Sequence, residues 1–365
     1  MNTRINSLPV PTWNHTGVNW AEPGAALPEK ALFEGFEGKP EPYGEPLPSG
    51  VRLLSKLPAR VSSISSGMGD GVDHFIKSGA VRVCYLQAEK DVKEPVVLTQ
   101  LLEPGRPMIR THFGIVAKAG SSLTLVQINR GDAENGALAN LTQIDAEDGA
   151  SVRLIQIQLL GNKSRSWDAV GARIGKGARV ELVRAVLGAS VAACGSLARL
   201  GSTGGKYDLN TAYFGDAEQY LDFNDIAVHT GRETLCEMNT AGVLSDKSSK
   251  ILRGTIDFRS GAVRSVGHEN ETVLLLSPGV RNRTVPLILC GEEQVEGQHA
   301  ATLGRMDEKQ LYYLCSRGLT AAQAKRLMVE ARFAPVLDKL PDEALRREVL
   351  ERIERRLDSH DNNPG

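Results

Sequence analysis

The amino-acid sequence predicts a mainly β chain, a β-helix of stacked coils with a small C-terminal α-helical domain. Two observations carry that reading. Short runs of alternating apolar and polar residues recur between about residues 80 and 290, and three of them open alike at nearly constant spacing. Beyond residue 305 the alternation gives way to helical periodicity with start and stop signals.

The chain divides on this basis into residues 1–79, an N-terminal arm and irregular segment, residues 80–304, the β-helix core, and residues 305–365, the helical domain. The first fifty residues are rich in Pro and Gly, as between Glu37 and Pro48. Proline denies the backbone helix and ladder bonds, so an extended wrapping arm is expected. Leu8, Trp13 and Trp20 argue that part of it docks on the body.

In the middle region, runs beginning at Val81, Ser122, Ser151 and Arg179 alternate with period two and are rich in β-branched residues. Gly120, Gly149 and Gly177 each precede a small-x-apolar-x-Leu pattern, 29 and 28 residues apart. One coil of a solenoid cannot bury its apolar face alone, so coils stack and share a core. The glycine supplies the bend before each strand. A β-sandwich with similar hairpins is the competing architecture.

After residue 305, Asp307 to Arg317 reads as a helix stopped by Gly318. Thr320 and Gln323 form a capping box for a second helix running to about Ala334, where Pro335 helps end it. Pro341 suits the first turn of a third helix, with Asp342 and Glu343 at its positive end. Leu345, Val349, Leu350, Ile353 and Leu357 form one apolar stripe, fit either for the body or for a partner. His360 to Gly365 reads as a frayed tail.

Composition removes several function classes. The 43 basic and 44 acidic residues leave a net charge of −1, and aromatics are 5%, so neither phosphate neutralisation nor base stacking is supported. No apolar run approaches a membrane span, and the N-terminal residues lack a signal-peptide core. Cys84, Cys194, Cys236, Cys290 and Cys315 are scattered, with no CxxC pair, which suggests reduced thiols in a cytoplasm. Cys290 is expected to be buried within a strand.

Gly201 to Lys206 invites a phosphate-loop reading, but it is one residue short, and Tyr207 stands where a magnesium-holding hydroxyl belongs. A turn between strands is the better account. No GxSxG nucleophile is present. A polysaccharide-cleaving β-helix enzyme would suit a solenoid, yet the chain shows no disulfide framework. Among seven histidines, His299 is the metal-ligand candidate. Gly297, Ala300 and Ala301 leave its surroundings open, and Glu293 and Glu296 are candidate acceptors fixing its tautomer. One imidazole cannot close a metal site, so a thiolate or a second chain must contribute.

Residues Leu221 to Phe333 resemble the common core of the SufB/SufD family. The likeness lies in Asp225 to His229, Ala241 to Lys247, Gly254 to Phe258, Thr272 to Pro278, Thr284 to Leu289, Glu293 to Gly304 and Leu311 to Gly318, in that order. Leu8 to Trp13 is similar to the start of many SufD chains. The resemblance implies a right-handed parallel β-helix with a C-terminal helical domain, in a non-enzymatic scaffold subunit. It implies pairing with SufB through the β-helices, a SufC ATPase held by the helices, and a transient iron–sulfur cluster near the SufB–SufD interface. A role for flavin stays open. SufB's essential cysteine would fall at about Val280, and its Glu-His-Glu is here Gln298-His299-Ala300. Both departures favour SufD over a self-pairing SufB-like chain. SufD's frequent cysteine two residues before the histidine is Gly297. Tyr312, Tyr313 and Arg317, residue types common at interfaces, are the candidate ATPase contacts.

Overall fold

The computed structural model describes residues 4–21, 41–42, 46–80 and 82–361. Most of the proline-rich segment before Pro48, and residues 362–365, lie outside the described residues. Two parallel sheets face each other along the solenoid. The first sheet begins with β1 (Glu41–Pro42) and β2 (Val51–Leu53), and α1 (Ala59–Ser62) and α2 (Asp70–Ser78) follow in the chain. The chain then alternates between sheets. It runs through β3 (Arg82–Ala88), β4 (Val96–Leu102), β5 (Met108–Ala117), β6 (Ser122–Gly131), β7 (Ala137–Ala146) and β8 (Ser151–Leu160). It continues through β9 (Arg165–Ile174), β10 (Arg179–Val186), β11 (Val191–Leu200), β12 (Lys206–Gly215), β13 (Tyr220–His229) and β14 (Leu235–Leu244). The last coils hold β15 (Ser249–Phe258), β16 (Ser265–Leu275), β17 (Arg281–Cys290) and β18 (Val295–Arg305). Odd strands from β3 to β17 form one ladder and even strands from β4 to β18 the other.

From β3 on, each strand pairs in parallel with the strand one coil on, as Ser122 with Ser151 and Ser151 with Arg179, while β2 lies antiparallel to β3. The inward rows supply the shared core, including Leu125, Leu154, Leu182 and Leu209 from one sheet and Ile115, Ile144 and Ala172 from the other. The outer faces are covered as well, which is why β5 and β7 are buried at every residue. Ile5, Val18, Met68, Val72 and Ile76 pack on the odd-strand sheet. The helical region packs on the even-strand sheet.

The glycine repeat marks one corner of the coil. Gly120, Gly149 and Gly177 all adopt left-handed φ, from +61° to +69°, where a Cβ is penalised. Gly204, inside the Gly201–Lys206 segment, continues the column at φ +71° and lies against Gly177. That segment is therefore a coil corner between β11 and β12. Glu233 and Arg264 extend the column with the same φ sign and pair with each other.

The N-terminal region corrects two expectations. Asn6 is buried and donates through Nδ2 to Asp222 Oδ1 at 2.7 Å, while Arg253 donates to Val18 O and to Asp222. The arm thus docks through a polar clamp as well as through Ile5 and Leu8. Trp13, expected to help dock it, is 77% exposed on a short turn at Asn14–Thr16. Nor is the stretch before residue 80 wholly irregular, since α2 buries Val72 and Ile76.

Three helices follow the solenoid: α3 (Glu308–Ser316), α4 (Ala321–Leu337) and α5 (Glu343–Asp361). Asp307 caps α3, and Gly318, at φ +99°, closes it with a Schellman pattern. Leu319 N donates to Leu314 O and Gly318 N to Cys315 O. Thr320 and Gln323 form the capping box of α4. Pro335 does not end α4, which runs two residues further to Leu337. Val336 and Leu337 are buried against the sheet, and that burial offsets the lost backbone bond. Pro341 lies before α5, whose first turn is closed by Asp342 accepting from Leu345 N.

Candidate functional site at the open end of the solenoid

The solenoid ends in β17 and β18, and each is the last strand of its ladder. Their outer edges therefore offer unpaired backbone donors and acceptors. Every residue of β18 is exposed or half-buried, in contrast to the buried strands of earlier coils.

His299 sits near the middle of β18 and is exposed. Its row is set by alternation. Val295 packs on the core, and a Cβ at Gly297 would meet Phe258 and Ile288, so odd residues of β18 belong to the inward row. His299 is paired in register with Glu269 of the coil beneath. Glu296 and Gln298 belong to the outer row. Glu296 lies 3.5 Å from His268 Nε2 and accepts from Gln298, and His268 Nδ1 lies 2.8 Å from Glu237. Glu296 is thus engaged with His268 rather than with His299. Glu293 is exposed in the turn before β18. The bracketing of His268 by Glu237 and Glu296 was not read from the sequence, because those residues come from three coils.

Cys290 ends β17 and is exposed. Burial was expected for it, but the terminal coil has no neighbour above to cover this position. Among the described residues, no group of three or more His, Cys, Asp or Glu side chains is placed to hold a metal ion. His299 is therefore a single available imidazole at an open face.

Beneath this face the interior is polar. Burial pushes the Glu269 carboxyl up to about 8, with the charges of Glu271 and Asp225 adding to the push and Lys250 opposing it. Its carboxylate crosses the coil to the bare Cα of Gly254, where a Cβ would stand 1.8 Å from Oε1. Lys250 donates to Glu271 and to Thr284 Oγ1, at 3.1 Å for the latter, and Tyr213 donates to Glu271 at 3.2 Å. Burial pulls the Lys250 ammonium down and Glu271 holds it up.

Asp225 and His229, which carried part of the family likeness, are internal. Asp225 accepts from Ser196 at 2.6 Å and pairs with buried Arg184 at 3.3 Å. His229 lies against Phe258 and within 2.7 Å of Thr234 Oγ1, and burial pulls its imidazole down to about 4. These residues hold the last coils in shape.

On the helical region, Tyr312 is 77% and Tyr313 56% exposed, with the Arg317 guanidinium 5.3 Å from the Tyr313 ring. The α5 stripe faces the body instead. Leu345, Val349, Ile353 and Leu357 join Val329 and Phe333 of α4 against Ile155, Val183 and Phe214 of the sheet. Arg356 adds a two-bond pair with Asp216 at 2.6 and 2.7 Å. No helix among the described residues is long and apolar enough to cross a membrane.

Comparison with known proteins places this architecture. Residues 101–332 match the model of the SUF system FeS cluster assembly, SufBD core domain, which runs from the end of β4 through most of α4. Iron-sulfur cluster assembly protein SufD of Bacillus subtilis is 28% identical over 276 residues, covering 75% of this chain and 63% of that protein. A SufBD family protein of Mycobacterium tuberculosis, Rv1462, is 30% identical over 195 residues, 51% of this chain and 49% of its own length. Escherichia coli SufD is 32% identical over 115 residues, 32% of this chain and 27% of that protein. The chain thus spans less than two thirds of the length of each of these relatives. With the family core matched across most of the solenoid and into the helices, the chain belongs to the SufBD family of the SUF iron–sulfur assembly system.

Proposed function

We propose that this chain is a SufD-type scaffold subunit for assembling iron–sulfur clusters. The observation that carries the proposal is the match to the SufBD core together with likeness to two proteins named SufD. In this reading the open coil pairs with a SufB-type chain, and a nascent cluster, the cargo, is built at their junction. His299 supplies one neutral imidazole, and a thiolate of the partner supplies what a single chain lacks. The exposed face of α3, with Tyr312, Tyr313 and Arg317, docks a SufC-type ATPase. The scaffold itself hydrolyses nothing and works in the cytoplasm.

The test is anaerobic purification of the tagged chain from its native cells, with iron, sulfide and subunits measured. An ATPase and a paralogous scaffold are expected to co-purify. His299→Ala is expected to leave that association intact while bound iron falls sharply. Unchanged iron and unimpaired growth under iron limitation reject the ligand role. Activity on polyuronides with no such partners rejects the scaffold reading altogether.

A further inference from the structure

The outer face of the even-strand sheet changes chemistry halfway along the solenoid. One column of outward positions runs Val126, Ile155 and Val183 through β6, β8 and β10. It continues in register as Asn210, Asn239 and Asn270 through β12, β14 and β16. The three aliphatic members are buried under the helical region. Asn210 is nearly as buried, at 8% exposure, because α4 also packs on β12 and β14. Among the described residues its side chain has no hydrogen-bond partner, whereas Asn270 donates to Asn239 Oδ1 at 3.4 Å. A covered amide without a partner is costly unless something else meets it. Asn210, Asn239, Asn270 and Thr272 floor a cleft of about 390 Å³, and Arg332, Pro335 and Val336 of α4 wall it. Arg332 is half-buried and pairs with no carboxylate among the described residues. The carboxylates in the neighbouring outward column are engaged elsewhere, Glu181 with Arg153 and Lys339, Asp208 with Arg179, and Glu237 with His268.

We infer that this cleft binds a small hydroxylated organic anion, with Arg332 holding its carboxylate or phosphate and the asparagine ladder its hydroxyls. A guanidinium presents paired donors that match the oxygens of either oxyanion. Each amide offers both a donor and an acceptor, as a hydroxyl does, and the rungs stand about 4.8 Å apart, close enough to meet successive hydroxyls of one ligand. The volume suits a small molecule rather than a bare ion. Among the described residues no aromatic side chain lines the cleft, so a flat ring system finds no stacking surface there. Ala241, Pro335 and Val336 supply only a narrow apolar wall. The inference is independent of the scaffold reading, since the cleft lies in outward rows beneath α4 and not on the open edge of β18. A ligand held there bridges α4 to β14 and β16, and so tightens the helical region on the solenoid.

The experiment titrates the full-length chain calorimetrically with gluconate and with glucose 6-phosphate, which carry a carboxylate and a phosphate on similar hydroxylated bodies. Glucose lacks the charge and inorganic phosphate lacks the body, so these two are the controls. At least one of the two organic anions is expected to bind roughly tenfold or more tightly than both controls, and to raise the thermal midpoint as its concentration rises. The tighter of the two identifies the oxyanion. Arg332→Gln is expected to weaken that binding by roughly tenfold or more. Asn239→Val, which extends the aliphatic column of the earlier coils, is expected to weaken it by roughly fivefold. Both side chains are partly exposed, and an unchanged midpoint without ligand shows that the variants fold; if one does not, the other carries the comparison. No binding of either organic anion at about 10 mM overturns the inference. So does binding no tighter than that of glucose or inorganic phosphate, or binding that neither substitution weakens.

Discussion

Replacing Arg356 by Ala tests what holds the helical platform on the solenoid. Arg356 is 5% exposed and donates through Nε and Nη2 to the two oxygens of Asp216, through Nη1 to Phe214 O, and through Nη2 to Gln219. Truncation strands the Asp216 carboxylate, itself only 10% exposed, without its countercharge. Breaking such a buried pair from one side costs about 3–5 kcal/mol. Arg352 is close enough to feel the Asp216 charge, and its own bonds run to Leu160 O and Leu187 O. It recovers part of the loss, so the lower end, about 3 kcal/mol, is expected. The assay is urea unfolding, with amide exchange followed in α5. Exchange in α5 should rise before exchange in the core strands does. Arg356→Met combined with Asp216→Leu should regain most of the stability, since removing both charges removes the stranded one. A loss under about 1 kcal/mol for the single change, or a double variant as unstable as the single, would refute the reasoning.

Four further outcomes follow from groups within the solenoid. His112 and His229 are each pulled down to about 4 by burial, below the unfolded value of about 6.5, so the unfolded chain binds the extra protons. Their stabilising contribution is full above about pH 6.5 and is lost as the pH falls towards 4. His229→Leu should flatten that limb in a pH series of unfolding curves. Glu269 has the opposite sign: with its carboxyl raised to about 8, the folded chain holds the proton, and stability is lost as the pH rises from about 4.5 through 8. Glu269→Gln should therefore gain on the unaltered chain at pH 8 to 9, and equal slopes in the two proteins would dismiss the buried-acid assignment. Gly149→Ala should cost about 1 kcal/mol for its left-handed φ alone, because the nearest atom to the added Cβ is 3.9 Å away. Gly242→Ala should cost more in the same melting assay, since its Cβ would fall 1.9 Å from the Tyr213 ring.

The coil period was legible because a left-handed corner selects glycine, and three successive corners kept it at Gly120, Gly149 and Gly177. The fourth, Gly204, was hidden in a segment that imitates a phosphate loop. The next two were invisible, because Glu233 and Arg264 take the same backbone conformation without a glycine to announce it. The helix caps at Thr320 and Gly318 were legible for a local reason, as each depends on residues a few positions apart. The end of α4 was not. Its last residues are held by burial of Val336 and Leu337 against the even-strand sheet, far away in sequence, and that outweighs the local signal of Pro335. At the end face, the open surroundings of His299 were legible in its small neighbours. The engagement of Glu296 with His268 could not, nor could the exposure of Cys290. Both depend on where the solenoid stops, which no local pattern encodes.

That stopping point gives the end face its character. A solenoid strand in mid-stack is satisfied on both edges, so its inward row can be chosen for packing alone. β17 and β18 have one satisfied edge each, and an open parallel edge invites further strands. The composition of this end limits which strands it accepts. Its inward row is sparse over Gly297, His299 and Ala301, so little apolar surface is offered to an arbitrary chain. The polar interior just beneath works in the same direction. Glu269 stands where Met238 and Leu209 stand in earlier coils and Lys250 where Leu221 does, and the bonds of Lys250 to Glu271 and Thr284 tie that layer together. An end built in this way offers open backbone edges without a broad apolar surface, and His299 stands exposed in its inward row.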